Sequence, residues 1–331
     1  MSNKILPRLF LTGISVLALS FPIYLPEVTP AVSVAWANPK HQYSTDIFSV
    51  NSGGYRLHLS RTQMRTGNSG RDILLIHGVT YSSHEFDVDY ADYSLVKYLA
   101  RHGYGVWCLD IAGFGESDSV QDGFLPDSDY ASEDIHAAAE FIMKQNGGKP
   151  IDLLGWSWGT VTSSRFAAKY PQLVHRLVLY APIVAGLGDA QVNESFHHNT
   201  WEHAADDFQK TPSGKIDFTI VEKTVADAFL ANAWRYDKET SPNGGRRDLM
   251  VAAEKRLIPT KDIKMPVLVI AGSKDPYVSP DLCQEAYEGL GDRKNSQIVV
   301  IDGASHVMML EKPYYKLFQK AVKKFLEVDD E

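Results

Sequence analysis

The chain has 331 residues, of which 44% are hydrophobic and 22% charged, and its formal net charge is −8. This size and composition suit one large globular domain, or one domain that carries an insertion. Nucleic-acid-binding proteins normally present a basic face, and no run of basic residues occurs here, so we expect no nucleic-acid partner. The two cysteines are too few to staple an exported domain. Whether Cys108 and Cys283 pair is left open, and two separate buried thiols are the simpler interpretation.

The N-terminus has the features of an export signal. Lys4 and Arg8 precede a largely apolar stretch, and Ala35-Trp36-Ala37 matches the small-x-small cleavage pattern. Residues 1–37 are therefore predicted to be a signal peptide cleaved near Ala37, leaving a periplasmic or secreted protein. The apolar stretch is shorter than the ~20 residues that span a bilayer, so no stable membrane insertion is expected after cleavage. Anchoring by an uncleaved N-terminal segment is the alternative.

Apolar runs of strand length alternate with helical stretches along the remaining chain. The predicted strands lie at 73–76, 106–111, 151–154, 177–180, 267–271 and 298–301. The predicted helices between them lie at 94–102, 130–145, 160–169 and 280–290. This alternation predicts an α/β fold, with a mostly parallel sheet covered by helices on both faces. Residues 43–50 and 55–59 are candidates for an additional antiparallel hairpin.

The alternation stops at Pro182 and resumes at Met265. The intervening residues 183–264 contain no comparable strand, and we expect helices at 195–208, 218–236 and 246–256. We predict that this segment is a helical cap inserted into a core made of residues 38–182 and 265–331. The alternative is that this segment is an ordinary long connection packed on the side of the sheet.

Ser157 is the strongest candidate for a catalytic nucleophile. It lies in Gly-Trp-Ser-Trp-Gly at 155–159, after an apolar run and before a predicted helix. This context predicts a sharp strand-to-helix turn, which Gly155 and Gly159 permit because they lack a Cβ atom. A serine hydroxyl is a weak nucleophile until a base takes its proton, so other parts of the chain must supply that base.

Two residues at other predicted strand ends complete a catalytic arrangement. Asp275 and His306 each follow a strand, and the order Ser157, Asp275, His306 is that of one known form of the serine triad. His306 is expected to act as general base and acid, and Asp275 to orient its imidazole. Asp302 competes for the acid role, but it is very near His306 in sequence. His77 is expected to support the loop in which it lies.

Cleavage of an acyl group also requires donors for the oxyanion that forms on the carbonyl. One is expected to be the backbone N–H of Trp158, which follows the nucleophile. The other should come from His-Gly-Val-Thr at 77–80, after a predicted strand, with the N–H of Val79 best placed to point inward.

These motifs together resemble the α/β-hydrolase fold superfamily over residues 55–328. The resemblance rests on His-Gly-Val-Thr at 77–80, Asp-Ile-Ala-Gly-Phe-Gly-Glu-Ser at 110–117, Gly-Trp-Ser-Trp-Gly at 155–159, Gly-Ser-Lys-Asp at 272–275 and Gly-Ala-Ser-His at 303–306. It implies an eight-stranded core, a lid after the sixth strand, and the roles given above to the triad, Val79 and Trp158. Dehalogenases and epoxide hydrolases of this fold carry aspartate in place of Ser157. Proline iminopeptidases typically have His-Gly-Gly-Pro-Gly in the oxyanion loop, from which this chain departs.

The substrate pocket is expected to be apolar. Its candidate lining residues are aromatic side chains near the nucleophile and in the lid, namely Trp156, Trp158, Phe114, Trp201 and Trp234. The acidic stretch at 84–89 is interpreted as a solvated surface loop, because the chemistry needs neither a metal nor another cofactor.

The sequence therefore predicts an exported serine hydrolase that cleaves a small-molecule carboxylic ester through an acyl-enzyme on Ser157. Cleavage of an amide, peptide, thioester or lactone by the same triad is the alternative within enzymes. A non-catalytic ligand-binding protein on the same scaffold is the alternative of another class. Substrate identity and oligomeric state cannot be predicted from the sequence.

Overall fold

The computed structural model describes residues 42–67, 70–237, 239–291 and 293–328, all of which fall within one compact unit. The predicted signal peptide lies outside the described residues. Within these ranges, none of the helices combines the length and the apolar character needed to cross a membrane. Both cysteines are buried and free, which agrees with two separate core thiols.

The described residues contain ten strands, eight of which form the central sheet. Their bounds are β1 Tyr43–Ser52, β2 Tyr55–Met64, β3 Arg71–Ile76, β4 Tyr104–Asp110, β5 Ile151–Trp156, β6 Val174–Tyr180, β7 Phe196–His198, β8 Thr240–Pro242, β9 Val267–Gly272 and β10 Gln297–Ile301. The sheet order is β1-β2-β4-β3-β5-β6-β9-β10, and β7 pairs only with β8. The predicted α/β class, the strands and the N-terminal hairpin are confirmed.

The order of the strands determines where a ligand can bind. Strand β2 pairs antiparallel with β1 and β4, whereas the other neighbouring strands of the central sheet pair in parallel. From β3 the chain moves outward to β4, and it then returns to form β5 on the opposite side of β3. The carboxyl ends of β3 and β5 therefore lie side by side at a reversal of strand order, where α/β sheets bind their ligands.

Eight α-helices are present in the same described ranges. They are α1 Leu95–Arg101, α2 Ser128–Gln145, α3 Trp158–Lys169, α4 Trp201–Ala204, α5 Lys223–Tyr236, α6 Gly244–Leu249, α7 Pro280–Glu288 and α8 Tyr314–Leu326. Successive side chains of a strand point to opposite faces, and accordingly Ile73 and Leu75 belong to one buried cluster and Leu74 and Ile76 to another. Helices α1, α5 and α8 bury apolar side chains in the first cluster, and α2, α3 and α7 do so in the second. Helices thus cover both faces, as predicted.

The segment between β6 and β9 differs from the sequence-based expectation. The helix expected at 195–208 is wrong, because that region contains β7 and the short α4, and β7 is held by antiparallel pairing with β8. The helix expected at 246–256 ends early, at Leu249. The backbone beyond it turns aside because the carbonyls of Leu249 and Val251 accept hydrogen bonds from Leu187 and Gly188, at 2.8 and 3.0 Å. Helix α8 was not among the predicted elements.

Candidate active site

Ser157 lies on a sharp turn between β5 and α3. Its backbone is in a left-handed conformation, with φ 56° and ψ −123°, which is costly for a residue with a Cβ atom and is typical of functional sites. A Cβ atom on Gly155 would lie 2.2 Å from the Gly159 carbonyl oxygen, and one on Gly159 would lie 2.4 Å from that of Ile76. The close packing of β3, β5 and α3 therefore requires both glycines, as the motif predicted.

The loop after β3 passes directly beside this serine. A Cβ atom on Gly78 would lie 3.5 Å from the Ser157 Cβ and 3.9 Å from its Oγ. Val79 lines the same cavity as Ser157, and Trp158 is the first residue of α3, where main-chain N–H groups lack helical acceptors. Among the described residues, neither of these two N–H groups donates to a protein acceptor. Both predicted oxyanion donors are thus adjacent to Ser157 in the structure.

His77 supports the loop that follows β3. It is fully buried, its Nε2 accepts the Ile111 N–H at 3.1 Å, and its Nδ1 is 2.8 Å from the Gly78 carbonyl oxygen. Because Nε2 must be an acceptor, the proton of the neutral ring lies on Nδ1 and is donated to Gly78. Burial lowers the pKa of His77, in keeping with this neutral form. The geometry agrees with the supporting role expected for this residue.

Asp275 and His306 form a buried hydrogen-bonded pair. Asp275 follows β9, His306 follows β10, and the Nδ1 of His306 is 2.8 Å from Asp275 Oδ2. The other oxygen of Asp275 accepts the N–H groups of Tyr277 and Val278, at 2.9 and 3.3 Å. Asp302 instead accepts the Ser273 hydroxyl at 2.8 Å, so it does not hold the imidazole. Nδ1 therefore carries a proton, and Nε2 is the ring atom able to take another.

Several contacts fix the position and basicity of His306. Its carbonyl oxygen accepts the Trp156 indole N–H at 3.1 Å and the Tyr180 hydroxyl at 2.9 Å. The Tyr277 ring packs edge-on to the imidazole, with ring centroids 4.7 Å apart. Burial lowers the pKa of His306, but the charge and hydrogen bond of Asp275 raise it by more, so the pKa is raised overall.

Ser157 and His306 line one cavity of about 130 Å³. Among the described residues the Ser157 hydroxyl makes no direct hydrogen bond to His306. Catalytic hydrogen bonds are often long without substrate and tighten when it binds. The volume is below the ≈ 300–1,000 Å³ of pockets for drug-sized ligands, which favours a small substrate.

The cavity wall corrects the expected aromatic pocket. Trp156 lines the cavity, as expected, but Phe114, Trp201 and Trp234 do not. Phe114 packs on His77, with ring centroids 4.8 Å apart, and Trp201 and Trp234 pack edge to face on each other. The Trp158 side chain is also absent from the wall, because its indole N–H donates to Ser128 Oγ at 2.9 Å within the opposite core cluster.

The wall is also more polar than expected. Beyond the catalytic candidates it includes seven titratable side chains, namely Tyr81, Glu85, His203, Asp206, Asp207, Arg246 and Tyr277. Glu85 lies in the stretch interpreted as a solvated loop, yet it is only 4% exposed and accepts the Gly78 N–H at 2.9 Å. Desolvation holds the pKa of Glu85 well above its usual range, which favours a neutral carboxyl group beside the loop that contains Gly78. No sequence pattern distinguished Glu85 or Arg246 from surface charges.

A second group of titratable side chains lies outside the cavity lining. Donor atoms of His58, His84, Asp110 and Glu116 all fall within 4.8 Å of one another, which could hold a metal ion. His84 Nε2 is within hydrogen-bond distance of a Glu116 oxygen, at 3.2 Å, and His58 Nε2 lies 3.5 Å from the same oxygen. Asp110 already accepts the Ser83 N–H and hydroxyl and the Glu116 N–H. These hydrogen bonds give the cluster a structural role, because they link the loop that follows β3 to the loop that follows β4.

Comparison with known proteins places the chain among hydrolases. The family model described as serine aminopeptidase, S33, matches residues 68–313. Over 160 residues the chain is 30% identical to the serine hydrolase BPHL of Homo sapiens, covering 48% of this chain and 51% of that protein. It therefore spans about half the length of this relative.

A longer match connects the chain with a pimeloyl-[acyl-carrier protein] methyl ester esterase of Neisseria meningitidis. The two are 25% identical over 247 residues, covering 72% of this chain and 72% of that protein. Among solved structures, an esterase from Exiguobacterium antarcticum has a TM-score of 0.60 at 15% identity, covering 85% of this chain and 99% of that one. This last likeness shows the shared fold.

Proposed function

The chain belongs to the serine aminopeptidase S33 family, within the α/β-hydrolase superfamily, and we propose that it is a serine hydrolase that cleaves small carboxylic esters. The observation that carries the proposal is the buried Asp275–His306 pair, whose imidazole lines one cavity with Ser157. Three different strand ends supply these residues, which a purely structural role would not require. The similarity to the Neisseria protein, a methyl ester esterase, supports an ester substrate.

The proposed reaction has two acyl-transfer steps. Nε2 of His306 takes the proton of Ser157 as Oγ attacks the ester carbonyl, and the N–H groups of Val79 and Trp158 stabilise the oxyanion. The tetrahedral intermediate collapses, the alcohol leaves with the proton from His306, and the acyl group remains on Ser157. A water molecule, deprotonated by His306, then attacks the acyl-enzyme and releases the acid. Throughout, Asp275 holds the ring and stabilises its charged form.

The segment 183–264 is proposed to act as the cap. It follows β6, precedes β9, and contributes apolar and charged side chains to the cavity wall. Those side chains are Ile183, Leu187, His203, Asp206, Asp207, Arg246, Leu249 and Met250. Because the core supplies the nucleophile and base while this segment supplies much of the wall, substrate selection is assigned to the cap.

Single alanine substitutions at the nucleophile and base test the proposal. Ser157→Ala and His306→Ala should each abolish release of p-nitrophenol from p-nitrophenyl acetate and butyrate, with an unchanged circular dichroism spectrum. A fluorophosphonate probe should label the wild type and fail to label Ser157→Ala, which also separates an enzyme from a ligand-binding protein. Full activity in either variant would refute the assignment.

Two matched control variants are available in the chain. Ser163 lies on α3 near the same turn, and its buried hydroxyl has no hydrogen-bond partner among the described residues, so Ser163→Ala should keep its activity. His198 lies on β7, is exposed, and does not line the cavity, so His198→Ala should behave likewise.

The family name also supports a second candidate, cleavage of an amide or peptide bond at the same site. Paired substrates with one acyl group, as the p-nitrophenyl ester and the p-nitroanilide, separate the two. Ester turnover without anilide turnover supports the first candidate. Anilide turnover at a comparable kcat/KM would favour the second.

Export is proposed on the N-terminal pattern alone. Lys4, Arg8 and the Ala35-Trp36-Ala37 pattern support a cleaved signal. N-terminal sequencing of protein recovered from outside the cytoplasm should begin at Asn38. Recovery of the full-length chain in the membrane fraction would support the uncleaved anchor instead.

A further inference from the structure

Arg246 is a buried cation in the wall of the active-site cavity. It lies on α6, is only 9% exposed, and lines the cavity together with Ser157 and His306. Placing a guanidinium group away from water is costly unless an anion or a full set of hydrogen bonds compensates it. The question is therefore which groups compensate the charge of Arg246.

The protein partners of Arg246 are all uncharged. Nη1 donates to Ser241 Oγ at 3.1 Å, to Asn243 Oδ1 at 3.3 Å and to the Pro242 carbonyl oxygen at 3.4 Å. Nη2 donates to Thr80 Oγ1 at 2.9 Å. No carboxylate of the described residues forms an ion pair with this guanidinium. The Nε–H and one Nη2–H remain without a protein acceptor in the same part of the chain, and two donors on adjacent nitrogens match the two oxygens of a carboxylate.

Asp207 is the titratable group whose negative charge acts on Arg246, and it does so without forming an ion pair with the guanidinium. Burial and the Arg246 charge lower the pKa of His197 to about 4, and they also lower that of His203, which favours the neutral form of both rings. Desolvation holds the pKa of Glu85 well above its usual range, which favours its neutral form as well. The hydroxyl of Tyr81, which also lines the cavity, is buried and has no hydrogen-bond partner among the described residues. A polar ligand in the cavity would provide hydrogen-bond partners for both Arg246 and Tyr81.

Asp207 lies near His306 as well as near Arg246. It accepts the Tyr277 hydroxyl at 3.2 Å, and its charge acts to raise the pKa of both His306 and Arg246. Because His306 gives its proton to the departing alcohol, the alcohol part of the ester lies beside His306 and Asp207. A negative charge on the alcohol would be repelled by Asp207, so we assign a substrate anion to the acyl part.

We propose that Arg246 binds a carboxylate on the acyl part of the substrate, so that the enzyme prefers half-esters of short dicarboxylic acids. This inference rests on the proposed function. Thr80, which Arg246 contacts, follows the oxyanion donor Val79, so the carboxylate lies within about 4–8 Å of the ester carbonyl, one or two residue lengths away. That spacing and the small cavity fit a malonyl to glutaryl chain. The substrate anion then supplies the ion pair that no carboxylate of the described residues forms with Arg246.

A matched pair of esters tests the proposal. Monomethyl succinate carries a carboxylate where methyl 4-methylpentanoate carries an isopropyl group of similar shape, and methanol release reports the cleavage of both. The wild type should show a kcat/KM at least about tenfold higher for the anionic ester, since a charge-assisted hydrogen bond is gained. Arg246→Gln should reduce the ratio of anionic to neutral kcat/KM by about 30-fold or more, mainly through KM.

Two further variants separate recognition from folding. Arg247 neighbours Arg246 on α6, but it donates to the Phe124 carbonyl oxygen and does not line the cavity, so Arg247→Gln should keep the wild-type ratio. Arg246→Lys keeps the charge without the paired donors, and it should fall between the wild type and Arg246→Gln. If Arg246→Gln does not fold, the lysine variant still tests the ratio.

The outcomes distinguish this inference from the proposed function. A wild type that cleaves both esters without preferring the anionic one, or an Arg246→Gln variant that loses both rates equally, overturns the carboxylate site alone. If neither ester is cleaved, the proposed function fails, and calorimetric titration with monomethyl succinate decides the carboxylate site. Binding that weakens about 30-fold or more in Arg246→Gln supports the site, and equal or absent binding overturns it.

Discussion

Glu85 offers the most direct test of how the oxyanion loop is held. Its carboxyl group is 4% exposed and accepts the N–H of Gly78, the residue before the proposed donor Val79, at 2.9 Å. Desolvation holds the pKa of Glu85 well above its usual range. A neutral carboxyl that only accepts a backbone hydrogen bond can be replaced by a neutral amide, because the amide oxygen is also an acceptor. We therefore compare Glu85→Gln with Glu85→Ala.

The two variants should differ by at least about threefold in activity. Glu85→Gln keeps the acceptor for Gly78, so its kcat should stay within about threefold of the wild type. Glu85→Ala leaves a buried N–H unpaired, which costs about 1–3 kcal/mol, and it leaves an unfilled space behind the loop. Losing an oxyanion donor altogether costs about 10²–10³ in kcat. Because the donor here is loosened rather than removed, we expect a loss of about 10–100-fold.

Stability as a function of pH gives an independent readout. The folded-state pKa of Glu85 is raised, so its stabilising contribution is complete below the unfolded value near 4.3 and is lost as pH rises through the folded value. The free energy of unfolding of the wild type should therefore fall with pH in that window, by at most about 1.4 kcal/mol per pH unit from this group. In Glu85→Gln the free energy of unfolding should not show the part of this pH-dependent decrease that comes from Glu85. Urea unfolding from pH 4 to 9 measures it.

Two different results would contradict this role of Glu85. If Glu85→Gln loses activity as severely as Glu85→Ala while remaining folded, the carboxyl group has an ionised or proton-transferring role and the neutral support is wrong. If both variants keep full activity, Glu85 does not position the loop. Steady-state kinetics with p-nitrophenyl acetate at pH 8, with thermal melts of each variant, distinguish these cases.

Three other outcomes are expected. Burial lowers the pKa of His306 but Asp275 raises it by more, so kcat/KM should rise with pH along a limb centred above 6.5. Asp275→Asn should move that limb to lower pH and reduce kcat by about 10⁴-fold; a wild-type limb below 6.5 would contradict this. Gly159→Ala places a Cβ atom 2.4 Å from the Ile76 carbonyl oxygen, which should cost at least about 1–3 kcal/mol in a thermal or urea melt; an unchanged melting temperature would argue against the tight turn. Burial raises the pKa of Asp237 to about 7, so the stability contributed by the neutral carboxyl group is complete below the unfolded pKa near 3.9 and is lost as pH rises through 7. Asp237→Ala should thus destabilise the protein more at pH 5 than at pH 8, and an equal loss at both would disprove the coupling.

The centre of the sheet was predictable because its strands are buried on both faces. Residues 151–156 and 267–272 form such strands, each buried along its whole length, and a continuous apolar run is a clear signal for that environment. The segment between β6 and β9 carries no such signal. Strand β7 is Phe-His-His, and it forms only because Thr240–Pro242 lies beside it. Pairing between segments about 40 residues apart is a tertiary effect that local sequence patterns do not report.

The positions of Ser157, Asp275 and His306 at strand ends were predictable from the sequence, but most of the cavity wall was not. Trp158 illustrates the difference, since its backbone N–H lies beside Ser157 while its side chain lies in the opposite core cluster. A motif places the main chain at a turn, and the first turn of α3 then decides the direction of the side chain. Glu85 and Arg246 lay among ordinary charged residues in the sequence, and only burial distinguishes them.

These observations divide the site into two parts with different physical origins. The catalytic part is built at a reversal of strand order, where close packing of β3, β5 and α3 allows only glycine at two positions and holds Ser157 in a strained conformation. The proposed selective part comes from the segment between β6 and β9, from which Arg246 and Asp207 contribute side chains of opposite charge to one cavity. Insertions change more freely than a packed sheet, so related chains can keep this triad and accept different acyl groups. The charge pattern of the wall, more than the triad, is therefore the feature from which to infer the substrate.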